Sequence, residues 1–219
     1  MDKNRSKPVV YCPIFFNIQG RRCVVVGGGK VALRKVRMLL DCGADITVIS
    51  PTSHPGITKL SEKRAIHLIE RDFKTEDLKG AAMAIATTDK KEVNRKVAVE
   101  AKRAGVWVNV ADDPGPSDFI IPSFFRQGDL TVAVSTAGVS PALARKIRTQ
   151  LEKSFGEEYA MLLSLIGEVR STLKGRGIIV SREVWQKALN LDLLISLIRS
   201  SEREKAKAFL LRKLEVHPS

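Results

Sequence analysis

A glycine-rich loop is the first feature of the sequence that could bind a ligand. Residues 27–32, Gly-Gly-Gly-Lys-Val-Ala, directly follow the β-branched run Arg22–Val26 and form a GxGxxA pattern. In this pattern Gly27 makes a tight turn, and Gly29 lets the backbone approach a pyrophosphate. The N–H groups and the dipole at the start of the next helix hold the anion. The loop therefore predicts a dinucleotide site, with a purely structural glycine turn as the alternative.

The end of the second predicted strand bears on which dinucleotide binds. An acidic residue is expected there, about 20 residues beyond the glycines, to accept hydrogen bonds from the adenine ribose. This chain has Ser50, Pro51 and Thr52 instead. Hydroxyl or backbone groups must then hold the ribose. The positive charges of Lys30 and Arg34 lie close enough to tolerate the 2′-phosphate of NADP. The residues alone leave the choice between NAD and NADP open.

Polar residues also follow the fourth and fifth predicted strands, where the nicotinamide half of a dinucleotide lies in a doubly wound sheet. Thr87 and Thr88 are candidate cofactor contacts. A turn-and-cap role, in which Asp89 caps the next helix, is the equal alternative for them. Asp112 and Asp113 lie beside the hydride-transfer position, where a carboxylate could act as a base. The alternative for this pair is a turn stabilised by aspartate before proline.

Alternating strand and helix patterns position these residues. They predict parallel strands joined by right-handed crossovers, and so an α/β fold with an open, Rossmann-type doubly wound sheet in the order 3-2-1-4-5. The predicted strands are Arg22–Val26, Asp45–Ser50, Ala65–Glu70, Ala82–Ala86 and Val106–Val110. The predicted helices are Val31–Cys42 and Glu92–Ala104. This dinucleotide-binding domain, residues 1–116, ends at the Asp-Pro-Gly-Pro break.

The rest of the chain is predicted to form two regions. A small α/β region, residues 117–148, has a short apolar segment, Phe119–Pro122, and a strand, Leu130–Ser135. Ser140 followed by proline then starts a helix that runs to about Lys153, because serine is a preferred N-cap and proline fits the first helical position. A C-terminal helical region, residues 149–219, shows helical patterns at about 157–174, 182–199 and 202–216 and no chemistry of its own.

Composition narrows the class of protein. Hydrophobic residues make up 44% of the chain and charged residues 28%, and no run approaches the roughly 18 apolar residues of a membrane span. The apolar run Val9–Phe16 is too short for a signal peptide and contains a proline, so we expect a cytoplasmic protein without a membrane partner. The net charge of +13 would favour binding of nucleic acid or of a small polyanion. The alternative is a basic surface that contacts only solvent.

Cysteine and histidine spacing gives no sign of a metal site. The residues concerned are Cys12, Cys23, Cys42, His54, His67 and His217. The cysteine count is odd, no pair has CxxC spacing, and the histidines are scattered. We therefore predict no metal and no disulfide framework, and we expect the cysteines to be buried or half-buried apolar residues.

Several motifs occur together in a fixed order. They are Pro13-Ile14-Phe15, the glycine loop with Arg34-Lys35, Ala86–Asp89, Asn109–Pro114, Phe119–Ser123 and Val134–Arg145. In this combination the chain resembles the siroheme-synthase dehydrogenase module, the precorrin-2 dehydrogenase and sirohydrochlorin ferrochelatase family. The match covers about residues 11–150, and its last two motifs are not general Rossmann features. The helical tail fits the family in length and character only.

The resemblance implies oxidation of precorrin-2 to sirohydrochlorin with NAD as acceptor, on the route to siroheme. Some members also insert ferrous iron, which makes this ion a further candidate substrate. The family's essential aspartate falls on Asp112, whereas Asp113 stands where a small residue is frequent, so which carboxylate acts stays open. The implied cofactor contacts are Gly29, Lys30, Val31, Pro51 and Thr52.

The resemblance also implies a homodimer that exchanges residues 117–148 between subunits. The substrate is a polycarboxylate macrocycle, which a basic cleft would attract. Arg126, Arg145, Lys146 and Arg148 could line such a cleft, with plain surface charge as the equal alternative. The candidate substrate contacts are Asn109, Ser135, Thr136 and Gly138. We expect Asp112 to accept a proton as the hydride leaves the ring.

Two other classes of protein stay open at this point. Nucleotide-sensing Rossmann modules of potassium transport also carry a glycine loop, but they place an acidic residue after the second strand. The motifs from Phe119 to Arg145 are not expected in them. Only the net charge supports a nucleic-acid-binding protein, because the basic residues are not interleaved with aromatic residues as they are in single-strand-binding surfaces. Salt-dependent binding to DNA would support this class again.

Overall fold

The computed structural model describes residues 10–215 of the chain. Residues 1–9, which begin the predicted first domain and include Val9, and residues 216–219, which include His217, lie outside the described part. The chain folds into two compact units, Met1–Ile121 and Pro122–Ser219. The division into three regions with boundaries at 116 and 148 stays a prediction.

A parallel sheet forms the centre of the first unit. Its strands are β1 Arg22–Val26, β2 Asp45–Ile49, β3 His67–Ile69, β4 Met83–Ala86 and β5 Trp107–Val110. Their order is β3-β2-β1-β4-β5, and all neighbouring pairs are parallel. The predicted doubly wound sheet and its strand order are therefore confirmed. Nearly every residue of β1 and β4 is buried, as expected for strands covered on both faces.

Helices cover the two faces of this sheet. They are α1 Lys30–Leu40, α2 Pro55–Glu62 and α3 Lys91–Arg103, with a short 3₁₀ turn at Thr75–Leu78. The buried side of α1 packs in one core cluster with Val25 and Val48. The buried side of α3 packs in a second cluster with Val24 and Val108. Alternate residues of the strands therefore contact helices on opposite faces of the sheet.

The helix α2 did not emerge from the sequence patterns. It begins at Pro55, whose missing N–H costs nothing at a first helical position. The His54 ring accepts a hydrogen bond from the Gly56 N–H at 3.0 Å and so caps the helix. His54 therefore has a structural role in the first turn of α2.

The second unit joins a hairpin to a group of helices. Its strands β6 Ser123–Gln127 and β7 Leu130–Val134 are antiparallel. The sequence patterns predicted β7 but no strand over Ser123–Gln127. The helices are α4 Pro141–Ser154, α5 Glu157–Gly175, α6 Arg182–Ala188, α7 Leu191–Arg199 and α8 Arg203–Glu215. The predicted single helical stretch over 182–199 is wrong, because Asn190 caps α7 by accepting from the Leu193 N–H at 3.1 Å.

Leucines hold the helices of the second unit together. Leu165 of α5, Leu194 of α7 and Leu210 of α8 are fully buried in one cluster. No helix in the described part of the chain combines the length and apolar character that a membrane crossing requires.

The cysteines differ in their surroundings. Cys12 is exposed, so the expectation that it is buried or half-buried is wrong, while Cys23 is buried and Cys42 is partly buried. Burial raises the pKa of the Cys23 thiol to about 11, and the nearby Asp45 and Cys42 contribute to the rise. Cys23 therefore behaves as a small apolar core residue rather than as a nucleophile.

Candidate active site

Gly27 makes the turn between β1 and α1. Its φ is +118°, a region that side-chain-bearing residues rarely adopt. A Cβ at this position would lie 2.7 Å from the Thr87 hydroxyl oxygen, and the Gly27 N–H donates to the Ile49 carbonyl at 2.9 Å. Gly27 therefore lies close to the carboxyl ends of both β2 and β4, and only glycine fits there.

Gly28 is held by the segment that follows β2. A Cβ on Gly28 would lie 2.1 Å from the Thr52 carbonyl oxygen, and the His54 N–H donates to the Gly28 carbonyl at 2.7 Å. The buried Ser50 hydroxyl donates to the same Thr52 carbonyl at 2.7 Å. Pro51 and Thr52 are exposed. The candidate ribose-binding residues thus form a compact turn that packs directly on the glycine loop.

Gly29 differs from its two neighbours because it borders open space. It is the N-cap of α1 with an ordinary φ of −80°, and a Cβ there would meet nothing within 4 Å. From the residues that the structure describes, no side chain caps the helix start. Lys30 is exposed and Val31 is half-buried on the first turn. A free helix N-terminus beside open space fits a pyrophosphate, because its N–H groups lack other acceptors.

The two threonines after β4 have structural partners. Thr87 is buried, and its hydroxyl donates to the Val26 carbonyl at 3.2 Å. The Thr88 N–H and hydroxyl contact the Asn94 Oδ1 at 3.1 and 2.8 Å, and the Asn94 Nδ2 donates to the Thr88 carbonyl at 2.8 Å. This network gives the turn after β4 its shape. The alternative in which Asp89 caps α3 is wrong, because Lys90 is the N-cap.

Asn94 is a residue that sequence reasoning missed. It is buried on α3 although it is polar, and both atoms of its amide bind the backbone of Thr88. The sequence contained one signal for this role, a single asparagine on the otherwise apolar face of a helix. A polar side chain that is buried on such a face needs hydrogen-bond partners.

Asp112 and Asp113 follow β5 and have different surroundings. The Asp113 Oδ1 accepts from the Gly115 N–H at 3.2 Å, which closes a turn. Asp112 is exposed and has a φ of +60°, an uncommon conformation for a residue with a side chain. Among residues 10–215, its carboxylate has no hydrogen-bond or ion-pair partner. The structure thus assigns Asp113 to the turn and leaves the Asp112 carboxylate available.

Lys35 brings a positive charge close to Asp112. It lies on α1, one turn beyond the glycine loop. Burial, above all, lowers the pKa of the Lys35 ammonium, and the charge of Arg34 lowers it further, while the Asp112 carboxylate acts in the opposite direction. The sequence singled out Lys35 only as part of a motif, because nothing in the chain order relates α1 to the end of β5.

A segment after the Asp112 turn covers the outer edge of β5. The Asp118 Oδ2 accepts from the Val108 N–H at 2.9 Å, and the Ser117 hydroxyl accepts from the Val110 N–H at 2.9 Å. The buried Asn109 amide donates to the Phe119 carbonyl at 2.9 Å. This covering satisfies the edge of the sheet. Asn109, a candidate substrate contact, is therefore engaged in holding the backbone.

The remaining candidate substrate residues lie in one loop of the second unit. The Ser135 hydroxyl accepts from the Ala137 N–H at 3.0 Å, and the Thr136 hydroxyl accepts from the Ser140 N–H at 3.1 Å. Gly138 has a φ of +84° and open space around it. The loop leads into α4, whose N-cap is Ser140 as predicted. Its side chains thus shape a turn that leaves Gly138 exposed.

The predicted basic cleft residues have mixed surroundings. Arg148 forms an ion pair with Glu152, and the Arg126 guanidinium lies 5.5 Å from the centre of the Phe124 ring. Arg145 and Lys146 lie on α4. No three His, Cys, Asp or Glu side chains within the described residues are grouped so that they could hold a metal ion.

Comparison with known proteins gives matches along nearly the whole chain. The family model NAD_binding_7, described as "Putative NAD(P)-binding", matches residues 14–123, which is half of the chain. A second model, described as "Sirohaem biosynthesis protein central", matches residues 127–154. The two matched segments adjoin each other near the boundary between the two compact units.

Named relatives agree with these models. The siroheme synthase of Tolumonas auensis is 38% identical over 207 residues, which are 94% of this chain and 44% of that protein. The siroheme synthase of Methylobacillus flagellatus is 44% identical over 165 residues, which are 75% of this chain and 35% of that protein. This chain thus spans less than half the length of these relatives.

A solved structure extends the similarity to three dimensions. The structure titled "SirC, precorrin-2 dehydrogenase" matches with a TM-score of 0.68 and 25% identity, and the match covers 94% of this chain and 100% of that one. The two chains therefore share their fold over nearly their whole length. The chain belongs to the family described as "Putative NAD(P)-binding", and it is similar to the siroheme synthases and to the solved structure titled "SirC, precorrin-2 dehydrogenase".

Proposed function

We propose that this protein oxidises precorrin-2 to sirohydrochlorin with NAD as the hydride acceptor. One observation carries the proposal: a helix N-terminus open to an anion and an unengaged carboxylate both lie at the carboxyl end of the same parallel sheet. Ligands of doubly wound folds bind at this end. The solved relative titled as a precorrin-2 dehydrogenase supports the choice of substrate.

The glycine loop would hold the cofactor. Gly29 leaves room for the pyrophosphate at the start of α1, and Lys30 adds a positive charge beside it. The exposed Pro51 and Thr52 follow β2, where the adenine ribose is expected, and no carboxylate there would repel a 2′-phosphate. Bound NAD would supply the acceptor for the hydride that leaves the macrocycle.

Asp112 would accept the proton that the ring loses together with the hydride. Its carboxylate has no partner among the described residues, so it is free to approach a substrate. Loss of one hydride and one proton balances the two-electron oxidation. Asp113 is a poor candidate for this role, because its Oδ1 already accepts from the Gly115 N–H.

Replacement of each aspartate by asparagine tests the assignment. Asp112→Asn should lower NADH formation from precorrin-2 by about a hundredfold or more, as expected for loss of a positioned base. Asp113→Asn is the matched control, since an asparagine oxygen can accept the same hydrogen bond from Gly115. The assay measures NADH release with NAD and, in parallel, NADPH release with NADP. Equal turnover of Asp112→Asn and the native protein would disprove the role of Asp112.

A lack of precorrin-2 oxidation by the native protein would test the proposed reaction itself rather than the role of Asp112. If precorrin-2 gave neither NADH nor NADPH while NAD still bound, the proposed oxidation would be wrong and only the dinucleotide site would stand. Adding ferrous iron to the same mixture tests the second activity, in which Asp112 would take pyrrole protons as the metal enters the ring. NADH without siroheme would limit the protein to the dehydrogenase step.

A homodimer is the quaternary structure that we propose. The segment 117–148 carries apolar side chains in contact with solvent, among them Val139, which is 87% exposed, and Leu143, which is 50% exposed. An interface between two copies would bury them. Light scattering should give the mass of a dimer, and Val139→Asp should shift it toward a monomer. Ile179→Asp, at another exposed apolar residue, is the control.

The nucleotide-sensing alternative has weaker support. No carboxylate follows β2, and the family model for siroheme biosynthesis matches residues 127–154, beyond the Rossmann unit. NAD binding without turnover of precorrin-2 is the result that would favour it. Nucleic-acid binding rests on the net charge alone, and we propose no such partner.

A further inference from the structure

A cavity in the second unit has no part in the proposed reaction. It lies where the end of α5 leads through a short segment into α6, and it has a volume of about 360 Å³. Leu173, Ile178, Val180 and the Trp185 indole give it apolar walls. Ile179, which is 77% exposed, extends the apolar surface at the same segment. Small-molecule sites commonly have volumes of about 300–1,000 Å³ and mostly apolar walls.

Two positive charges line this apolar cavity. Arg170 and Lys174 stand four residues apart on α5, so they lie on one face of the helix. The Arg170 guanidinium carbon lies 5.0 Å from the centre of the Trp185 ring, a cation–π contact that fixes the guanidinium at the cavity wall. Neither cation forms an ion pair with a residue of the described part of the chain. The cavity therefore combines an apolar floor with unneutralised positive charge.

Three other arginines of the same helical region are neutralised, whereas Arg182 and Arg212 form no ion pair within the described residues. The three ion pairs are Arg176–Glu215, Arg199–Glu158 and Arg203–Glu168. Lysine near a helix C-terminus can also serve to satisfy the last carbonyls, which would explain Lys174 without any ligand. Here the Leu173 and Lys174 carbonyls already accept from the Ile178 and Gly177 N–H groups, at 2.9 and 3.1 Å. Capping therefore does not account for the cations at the cavity.

We propose that this cavity binds a planar organic anion, a carboxylate carried on a flat apolar body. The carboxylate would lie between Arg170 and Lys174, and the apolar body would contact Ile178 and Trp185. Two unpaired cations favour an anionic head group, since hydrogen bonds to charged groups are the stronger ones. The proposal is independent of precorrin-2 oxidation, because none of these residues belongs to the unit with the glycine loop.

Trp185 provides a direct reporter for the cavity. The chain has two tryptophans, so the full-length Trp107→Phe variant leaves Trp185 as the only indole. 4-Nitrobenzoate, a flat carboxylate that quenches indole fluorescence, serves as the probe. Neutral 4-nitrobenzamide has the same shape and serves as the control ligand. We expect saturable quenching by the carboxylate, with an affinity about tenfold or more above that of the amide.

Variants then assign the effect to the two cations. Arg170→Gln and Lys174→Gln should each weaken 4-nitrobenzoate binding about tenfold, while Lys187→Gln, which removes an exposed cation of α6 outside the cavity, should leave it unchanged. Urea unfolding of each variant verifies that the second unit is folded. Precorrin-2 oxidation should be unaffected in the Lys174→Gln protein, which separates this site from the proposed reaction.

Three results would overturn the proposal. The first is quenching that rises linearly and equally for the carboxylate and the amide, as collision alone produces. The second is an equal loss of binding in Lys187→Gln and Arg170→Gln, which would indicate general charge attraction. The third is a change in Trp185 fluorescence with protein concentration and not with 4-nitrobenzoate, which would assign the surface to a second copy of the chain.

Discussion

Gly28 in the glycine loop of the first unit and Gly167 in the long helix of the second unit have opposite surroundings. Gly28 is enclosed, because a Cβ would meet the Thr52 carbonyl oxygen at 2.1 Å. Gly167 lies in the middle of α5, with nothing within 4 Å of its Cβ position. The first glycine is required by the atoms around it, and the second is not. Whether a glycine is required at a position therefore depends on which atoms lie close to its backbone.

The two units differ in the same way as a whole. In the first unit, the candidate chemistry lies in short turns at strand ends, where Gly27 and Asp112 have positive φ. In the second unit, buried leucines such as Leu165 hold regular helices together. Substitutions in the glycine loop should therefore act through backbone geometry, and those in the leucine cluster through lost apolar contact.

Gly28→Ala should have the largest effect. The new methyl group would force the Thr52 backbone to move, and we expect a loss of about 4 kcal/mol, above the usual range of about 1–3 kcal/mol for overpacking. NAD binding should be lost with it. Gly29→Ala is the matched control, since its Cβ points into open space. Stability should fall by no more than about 1 kcal/mol, because alanine is a poorer N-cap than glycine, while NAD affinity falls. Urea unfolding followed by Trp107 fluorescence in a Trp185→Phe background measures the first unit.

Two results would contradict the predicted difference between Gly28 and Gly29. If Gly28→Ala and Gly29→Ala were equally stable, the turn after β2 would not be fixed against the glycine loop. If Gly29→Ala bound NAD with native affinity, Gly29 would not border the pyrophosphate.

Leu165→Ala should have the next largest effect, in the second unit. Leu165 is fully buried, and loss of its side chain leaves a cavity that costs about 3 kcal/mol. Leu163 on the same helix is 37% exposed, so Leu163→Ala should cost less than about 1 kcal/mol. Trp185 fluorescence during urea unfolding of the Trp107→Phe protein reports on this unit. Equal losses from both substitutions would mean that the leucine cluster does not hold the helices together.

The sequence was sufficient for features whose signal is local. The β1 run, the glycine loop and the Ser140-Pro141 helix start all lie within a few consecutive residues, and each has the predicted structure. The strand order followed from the alternation of strands and helices, because right-handed crossovers leave few arrangements. Local pattern and chain topology together therefore predicted the frame of the first unit.

Features that depend on distant contacts could not be predicted. The strand β6 shows no alternation of apolar and polar residues, and only its pairing with β7 identifies it. The hydrogen bonds of Asn94 to Thr88 and the charge of Lys35 near Asp112 join elements that the sequence does not relate. Side-chain roles at the site therefore required the structure, even where the residue types were recognised.

Asp77→Asn tests a smaller electrostatic contribution in the first unit. The Arg71 guanidinium binds both oxygens of the buried Asp77 carboxylate, at 2.7 and 2.9 Å, and the Lys74 N–H donates at 2.8 Å. These contacts, the Arg71 hydrogen bonds above all, hold the pKa of Asp77 below its ordinary value. We expect the substitution to cost about 2 kcal/mol at neutral pH, since Arg71 is partly exposed.

The dependence on pH has a definite sign. Because the folded pKa of Asp77 is below the unfolded one, its contribution is complete above the unfolded value of about 4 and is lost as the pH falls through the folded value. The stability gap between native protein and Asp77→Asn should therefore close in acid. Glu76→Gln, at the exposed neighbouring acid, is the control. A gap that stayed constant down to acid pH would show that the ion pair is not its source.

Gly167→Ala should have the smallest effect, and its sign is opposite to that of Gly28→Ala. The position lies in the middle of α5 and has room for a methyl group, so alanine gains helix propensity without a clash. The expected stabilisation of the second unit is about 1 kcal/mol, the difference between the two residues in a helix interior. Trp185 fluorescence in urea, in the Trp107→Phe background, measures it. A destabilised Gly167→Ala would mean that a partner approaches α5 there, as Thr52 approaches Gly28, and that the second unit also contains a glycine required by its surroundings.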